Sequence, residues 1–480
     1  MFDAAECLCL QSDGQSIDCE TFSNWYSNEE GARAMKLSTK ARLLPVALVT
    51  VVALAACSGS GGNSSGGSVS PQGKDGASGD QQTTLTVWSW DDTVKLAVPG
   101  FEKAHPGVTV KVVNAGSSSD EYTSLENAIQ AGSGVPDLAM FEYFAVPYFA
   151  TPGKLTDLGP MGASAFKDDY VPSAWSNVKL GGGIYALPSD FGPAVMFWNS
   201  ATFAKAGITE APATWEAYYQ DAKKIRALGP HYYIAQDNKD LFFLLSQIWQ
   251  AGGRPFKVDG TKVHINFSDQ GTKRAVAFWQ KMLDEGLINT KITAWTDSWN
   301  RALNDGTLAS QNMGGWLTST LPGRAPDAAG DFRVSLMPQW EAGQKVGAEN
   351  GGSSFGIPKA STNKKVAFEF LEYFTHGDGL QARVDAGALV PNNSVLDSAK
   401  FLNAKTPYFG GQKTGEVLAE ASKIAPVGWQ YPPFFEWARS VYGDIATPFY
   451  TTGKGSLAEV LATWKQRCID YGNEQGFEVD

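Results

Sequence analysis

The chain has 480 residues, 43% hydrophobic and 19% charged, with five cysteines and a net charge of -11. Such a length exceeds one average core and suits two domains, and an acidic balance with no basic run makes nucleic acid and anionic headgroups poor partners. His105, His231, His264 and His376 are scattered, none with a second ligand at i+3 or i+4, so no metal cluster and no cofactor is expected.

Residues 1–34 carry Cys7, Cys9 and Cys19 without apolar periodicity, and translation is expected to start at Met35. Lys36, Lys40 and Arg42 then precede an apolar run, Leu43 to Ala56, that closes on Leu54-Ala55-Ala56-Cys57. A basic start, a short apolar core and small residues before a cysteine read as a lipoprotein signal peptide over 35–56, with Cys57 becoming the lipid-bearing N-terminus. The run is shorter than the roughly 20 apolar residues a membrane span needs. Residues 57–82 form a Gly/Ser-rich tether, and the remaining cysteine, Cys468, has no intramolecular partner.

Order is expected to begin near Thr83. Thr84 to Trp90 is β-rich, Thr93 to His105 has helical spacing that stops at Pro106-Gly107, and Val108 to Val113 is a strand. Tyr122 to Gly132 reads as a helix, Asp137 to Phe141 as a strand, and Val146 to Ala150 as the start of another helix. This alternation is that of a mostly parallel sheet covered by helices. Further helices are expected at Trp215 to Leu228, Leu241 to Ala251 and Asp269 to Glu285, the last capped by Ser268. Beyond about Ala399 the pattern becomes helical and aromatic, so two α/β lobes with an all-helical finish describe the chain.

Of the catalytic motifs, no Walker loop and no His-Glu-x-x-His is present. Asp91, Asp92, Glu142, Asp190 and Glu436, all near aromatics, are candidates for a glycosidase pair, or for hydroxyl acceptors that do not react. Aromatic residues make up 12% of the chain, and several Trp and Tyr stand beside Gly, Pro, Asp and Asn, where packing explains them less well. Trp90, Asp91 and Asp92 end the first strand, where open α/β sheets place ligands, and strand alternation puts Trp88 and Trp90 on one face. Gln236 to Asp240, with Asn238 at its centre, is a polar loop before a helix that one of its residues should cap. Trp316 follows Gly314-Gly315, whose missing side chains would let a large ring stand clear of the backbone. Trp429 and Tyr431 lead into Pro432-Pro433, which no helical core stripe tolerates, so at least one of them is expected in a cleft.

Several segments together resemble the extracellular sugar-binding proteins of bacterial ATP-driven importers, the maltodextrin-binding type or solute-binding family 1. They are Leu85-Thr-Val-Trp-Ser-Trp, Gly134-Val-Pro-Asp-Leu-Ala, Gly183-Ile-Tyr-Ala-Leu-Pro, Val195-Met-Phe-Trp-Asn, Ala213-Thr-Trp-Glu-Ala-Tyr, Phe278-Trp-Gln-Lys-Met-Leu, Leu308 to Trp316 and Phe355-Gly-Ile-Pro-Lys. The tether and lipobox are similar to Gram-positive, particularly actinobacterial, versions. The resemblance implies a two-lobed periplasmic-binding-protein-like α/β fold (class II) with ligand in the interlobe cleft, and lobes of 83–194 plus 354–390 and 195–353 plus 391–480. It also implies ligand contacts at Glu142 and Tyr143, at Asp190 and Phe191 before a crossover, at Trp316, and at Gly352 and Ser353 on a second crossover.

A sugar needs flat aromatic surfaces for its C–H face and planar polar groups for its hydroxyls. The expected function is therefore capture of an oligosaccharide by hinge closure of a lipid-anchored monomer on the outer face of the cytoplasmic membrane, and the resemblance implies its delivery to the permease of an ABC-type importer. No catalysis is expected. The rivals are a lipid-anchored glycoside hydrolase, and the same fold holding a peptide, polyamine or oxyanion.

Overall fold

The computed structural model describes residues 82–480; the expectations for residues 1–34, the signal segment, Cys57 and most of the tether lie outside them. The first strand, Thr83–Trp88, buries Leu85 and Val87 completely, as alternation dictates. It pairs in parallel with Val108–Val113, reached through a 3-10 turn at Asp92–Ala97 and a helix at Val98–Ala104. Its other neighbour, also parallel, is Leu138–Glu142, preceded by the helix Ser119–Ala131.

Two strands from much later in the chain complete this sheet. Its order is Val108–Val113, Thr83–Trp88, Leu138–Glu142, Ser353–Gly356, Leu187–Pro188, with Ser353–Gly356 antiparallel to both neighbours. The second lobe is built on Ala194–Asn199, flanked antiparallel by Ser310–Gly314 and Phe332–Leu336. All six residues of Ala194–Asn199 are buried, the signature of a strand covered on both faces.

Two extended segments run side by side between the lobes. The Ala194 amide donates to Ala348 O (2.9 Å), Asn350 N to Gly192 O (2.7 Å) and Ser189 N to Ser353 O (2.9 Å). A third passage follows the helices Lys364–Thr375 and Asp378–Asp385, where Val171 N donates to Pro391 O (2.9 Å). The chain thus leaves the first lobe, builds most of the second, returns to add a strand, and leaves again.

Local chemistry explains the helix limits. Asp240 caps Leu241–Gln250 by accepting from Phe243 N (3.0 Å), and Thr214 caps Trp215–Arg226 by accepting from Ala217 N (3.1 Å). The expected Ser268 cap is corrected: Asp269 holds that position, accepting from Thr272 N (2.9 Å), while the Ser268 hydroxyl donates to Asn266 Oδ1 (2.6 Å). A carboxylate with extended backbone one residue later is the stronger acceptor. The all-helical finish is also corrected, because the chain ends in Glu478–Val479, parallel to Lys262–Ile265. Much of the aromatic content is core: Trp215, Trp249, Trp279, Trp299 and Trp464 are all fully buried.

Arg383 ties the first lobe to its crossover. Its side chain is 0% exposed, and Nη2 donates to Asp91 Oδ2 (2.9 Å) and Ser189 Oγ (2.8 Å), Nε to Thr93 Oγ1 (3.2 Å), and Nη1 to Phe374 O (3.2 Å). Removing one member of a buried pair leaves the other charge uncompensated, so Arg383→Met should destabilise the protein by about 3 kcal/mol or more in chemical denaturation. A loss below about 1 kcal/mol would mean that Asp91 is satisfied without it.

Candidate functional site

The carboxyl ends of Thr83–Trp88 and Leu138–Glu142 supply the first wall of the interlobe cleft. Trp90, half-buried, meets the ring of Tyr122 edge-on at 6.2 Å. The Tyr122 hydroxyl accepts from Glu142 N (2.8 Å), and the Ser118 hydroxyl donates to Glu142 Oε2 (2.6 Å). Burial raises the Glu142 carboxyl above its ordinary range, against the pull of the Ser118 bond and of Arg439.

Ser118 reaches Glu142 at a conformational cost. It precedes Ser119–Ala131 as N-cap but makes no capping bond, and its backbone stands at φ 50°, ψ -120°. Such a backbone costs on the order of 1–3 kcal/mol in a non-glycine residue.

The second wall comes from the helix Phe435–Thr452. Arg439 grips Glu436 with two bonds, Nε to Oε2 (2.7 Å) and Nη2 to Oε1 (2.9 Å), and its guanidinium lies 4.9 Å from the Phe144 ring centre. Across the cleft, Arg439 Nη2 donates to Ser118 Oγ (2.9 Å) and also to Ser119 Oγ, while the Ser119 hydroxyl donates to Glu436 Oε1 (2.6 Å). Ser118, Ser119 and Arg439 were not singled out from sequence. A run of serines before a helix is a weak signal, and Arg439 looks like an ordinary i,i+3 partner of Glu436.

Beside this network lies a cavity of about 160 Å³, lined by Tyr143, Asn177 and Lys179 of the first lobe and by Val258, Trp429 and Tyr431 of the second. Tyr143 packs against Gly352, at φ 116°, where a Cβ would stand 2.6 Å from its ring. Trp429 is 4% exposed, with one face stacked on Trp249 at 4.8 Å and its Nε1 buried without a partner among the described residues. Tyr431 is half-buried and set edge-on to Phe144 and Phe435. Glu349, on the second crossover and 5% exposed, accepts from Asn177 Nδ2 (2.8 Å) through one oxygen, and its other oxygen has no partner among the described residues.

Other sequence candidates are held elsewhere. Asp91 spends one oxygen on Thr93 N (2.8 Å) and the other on Arg383, while Asp92 is exposed and paired with Lys95 (2.6 Å). Asp190 accepts from Ser353 N (2.6 Å), which occupies that amide, and Phe191 is fully buried under the crossover. Burial, followed by repulsion from Asp91, lifts the Asp190 carboxyl to about 7.

Trp316 departs from its expected posture. Its Nε1 donates to Asn350 O (2.8 Å), and a Cβ on Gly314 would stand 2.1 Å from that nitrogen. Gly314 therefore lets the ring lie against the crossover instead of standing clear of the backbone. Trp295, also missed from sequence, lies over it with ring centres 5.6 Å apart and 28° between planes. Trp295 is 44% exposed, has φ 72°, and carries the Arg324 guanidinium 4.7 Å from its ring centre. Stacking of about 0.5–1.5 kcal/mol and an exposed cation–π contact of about 0.5–1 kcal/mol roughly balance a backbone cost of about 1–3 kcal/mol. Asn238 donates to Thr293 Oγ1 (2.7 Å) in the same loop.

No three His, Cys, Asp or Glu side chains gather as a metal site, and no helix is long and apolar enough to cross a membrane, among the described residues.

Residues 88–376 match the family model for bacterial extracellular solute-binding proteins. The lactose-binding protein of Rhizobium radiobacter is 25% identical over 359 residues, 70% of this chain and 81% of that one. The arabinooligosaccharide-binding protein of Halalkalibacterium halodurans is 24% identical over 399 residues, 79% and 88% of the two chains. Among solved structures, the ABC transporter associated binding protein of B. animalis subsp. lactis Bl-04 in complex with beta-1,6-galactobiose is 44% identical with a TM-score of 0.74, over 83% of this chain and 99% of that one. The galacto-N-biose/lacto-N-biose I-binding protein of Bifidobacterium longum, in complex with lacto-N-biose, is 26% identical with a TM-score of 0.73 over the same shares. With its two interleaved lobes and a model match over more than half its length, the chain belongs to the bacterial extracellular solute-binding proteins.

Proposed function

We propose that this protein captures an oligosaccharide between its lobes and delivers it to the permease of an ABC-type importer. The observation that carries the reading is the meeting of Ser118, Ser119 and Glu142 of one lobe with Glu436 and Arg439 of the other, beside a cavity walled by Tyr143, Trp429 and Tyr431. Hydroxyl donors and acceptors next to flat apolar rings suit a sugar. The cleft charges Glu436 and Arg439 satisfy each other, which suits a neutral ligand better than a polyamine or an oxyanion. The relatives described as binding lactose, arabinooligosaccharide, beta-1,6-galactobiose and lacto-N-biose support the same class.

The mechanism is closure about the crossovers. Ligand touching both lobes stabilises the closed form by its differential affinity. Gly351 and Gly352, at φ 80° and 116°, give the second crossover backbone freedom next to the site. Of the residues expected at the ligand, Trp90, Glu142, Tyr143, Trp316, Trp429 and Tyr431 form the proposed contact set, with Ser118, Ser119, Glu436 and Arg439 added. Asp91, Asp190, Phe191 and Ser353 are assigned to holding the crossover. The lobes divide as 83–194 plus 354–390 and 195–353 plus 391–480, and the protein acts as a monomer without catalysis, anchored through lipid on Cys57 to the outer face of the cytoplasmic membrane. The doubly gripped Glu436 is a poor general acid, which counts against the hydrolase.

Thermal denaturation with beta-1,6-galactobiose, lacto-N-biose, lactose, arabinooligosaccharides, spermidine and phosphate, followed by analysis of recovered ligand, tests the reading. A sugar at 100 times its Kd should stabilise the protein by about 2.7 kcal/mol and be recovered intact. Cleavage would establish the hydrolase, and a response to spermidine or phosphate alone would end the carbohydrate assignment.

Arg439→Ala removes charged hydrogen bonds that span the cleft, so affinity for that sugar should fall about 10- to 100-fold. The radius of gyration of the unliganded protein, measured by X-ray scattering, should rise. An unchanged radius and affinity would show that the link is inert.

Burial lifts the Glu349 carboxyl from the ordinary 4.5 to about 7. The folded protein keeps a proton that the unfolded chain releases, so this contribution is complete below about pH 4.5 and is lost as pH rises towards 7. The thermal midpoint should fall across that window and fall less in Glu349→Gln. Asp190 and Glu121, raised to about 7 and about 8, keep a residual slope of the same sign.

A further inference from the structure

Among the described residues only Ser118, Lys239 and Trp295 combine a side chain with a left-handed φ, and Trp295 is the bulkiest of the three. Among the described residues it is also the one tryptophan that counts as an exposed large hydrophobic residue. A tryptophan left 44% exposed on a strained backbone gains little from burial. Its ring is held by Trp299 at 5.1 Å, by Trp316 at 5.6 Å and by the Arg324 guanidinium at 4.7 Å.

We propose that Trp295 sets the length of sugar chain the cleft accepts: its indole lies over Trp316 in the place of a pyranose ring, and a ligand that extends onto Trp316 must swing it aside. The proposal rests on the carbohydrate reading above. An indole and the C–H face of a sugar are both flat, apolar partners for a tryptophan, so one can replace the other. The flanking residues are pinned: Thr293 Oγ1 accepts from Asn238 (2.7 Å), its carbonyl accepts from the Thr296 hydroxyl (2.7 Å), and Thr296 caps Asp297–Asn304. Motion is thereby confined to Ala294 and Trp295. Departure of the ring forfeits the stack, the Trp299 contact and the cation contact but releases the strained backbone, which keeps the two positions close in free energy.

The test uses the full chain, titrated calorimetrically with beta-1,6-linked galactobiose and galactotetraose. In Trp295→Gly the ring is absent and glycine accepts φ 72° without strain. This variant should bind galactobiose within about twofold of wild type and galactotetraose at least about fivefold more tightly. Adding Trp316→Ala should abolish the gain. Equal loss of affinity for both sugars would make Trp295 a simple platform and overturn the proposal, as would no change for either. Wild-type protein that binds neither sugar would overturn the proposal for this linkage while the carbohydrate reading stands or falls on the wider panel above, and wild-type binding with an unresponsive Trp295→Gly sinks the proposal alone.

Discussion

The buried guanidinium of Arg383 fixes the frame on which the cleft depends. It joins three stretches far apart in sequence: the end of the first strand at Asp91 and Thr93, the first crossover at Ser189, and the helix after the second crossover at Phe374. Desolvating a full charge is tolerable only when nearly every donor finds an acceptor. The planar fork of arginine meets four residues at once, which the single ammonium of a lysine could not do in these directions. Because Ser189 and Asp190 begin the crossover, and Asp190 in turn holds the amide of Ser353, one cation sets where both hinge strands leave the first lobe.

The elements were legible wherever the signal is local. Val108–Val113 falls within its expected limits, and the helices near residues 215, 241 and 270 begin within a residue of theirs, because apolar spacing and capping residues act over a few positions. The site was less legible because its bonds are not local. Asp91 stands where a parallel sheet offers side chains to ligand, yet its partner Arg383 is 292 positions away and claims it for the frame. Ser119 and Glu436 meet over 317 positions, and neither carries a mark of the other in sequence. For Trp429, the prolines correctly argue against a helical stripe but say nothing about which face of the ring Trp249 would cover.

In both lobes, strained backbone outside glycine goes with a contact that the side chain makes elsewhere. Ser118 gives up its capping bond to aim a hydroxyl at Glu142 and Arg439, Lys239 turns from its loop to donate to Thr447 Oγ1 (2.9 Å), and Trp295 covers Trp316. Each conformation is upheld by contacts that the side chain makes at a distance, so disturbing those contacts also alters the backbone. A surface of this kind responds to what binds it in a way that a relaxed loop does not.

The link between the lobes sets a further condition on affinity. In the proposed mechanism, Ser118, Ser119, Glu436 and Arg439 both hold the lobes together and meet the sugar, so a ligand hydroxyl must replace bonds that already exist. Exchanging one satisfied hydrogen bond for another yields little net free energy, and most of the gain must come from apolar contact with Tyr143, Trp429 and Tyr431 and from water driven out of the cavity. The polar network then serves mainly to reject ligands whose hydroxyls fall in the wrong places, because those break the Ser118 and Ser119 bonds to Arg439 and Glu436 without replacing them. Specificity would thus reside in the polar network and the gain from direct ligand contact in the aromatic walls beside it, while Arg439 adds to affinity by holding the lobes closed.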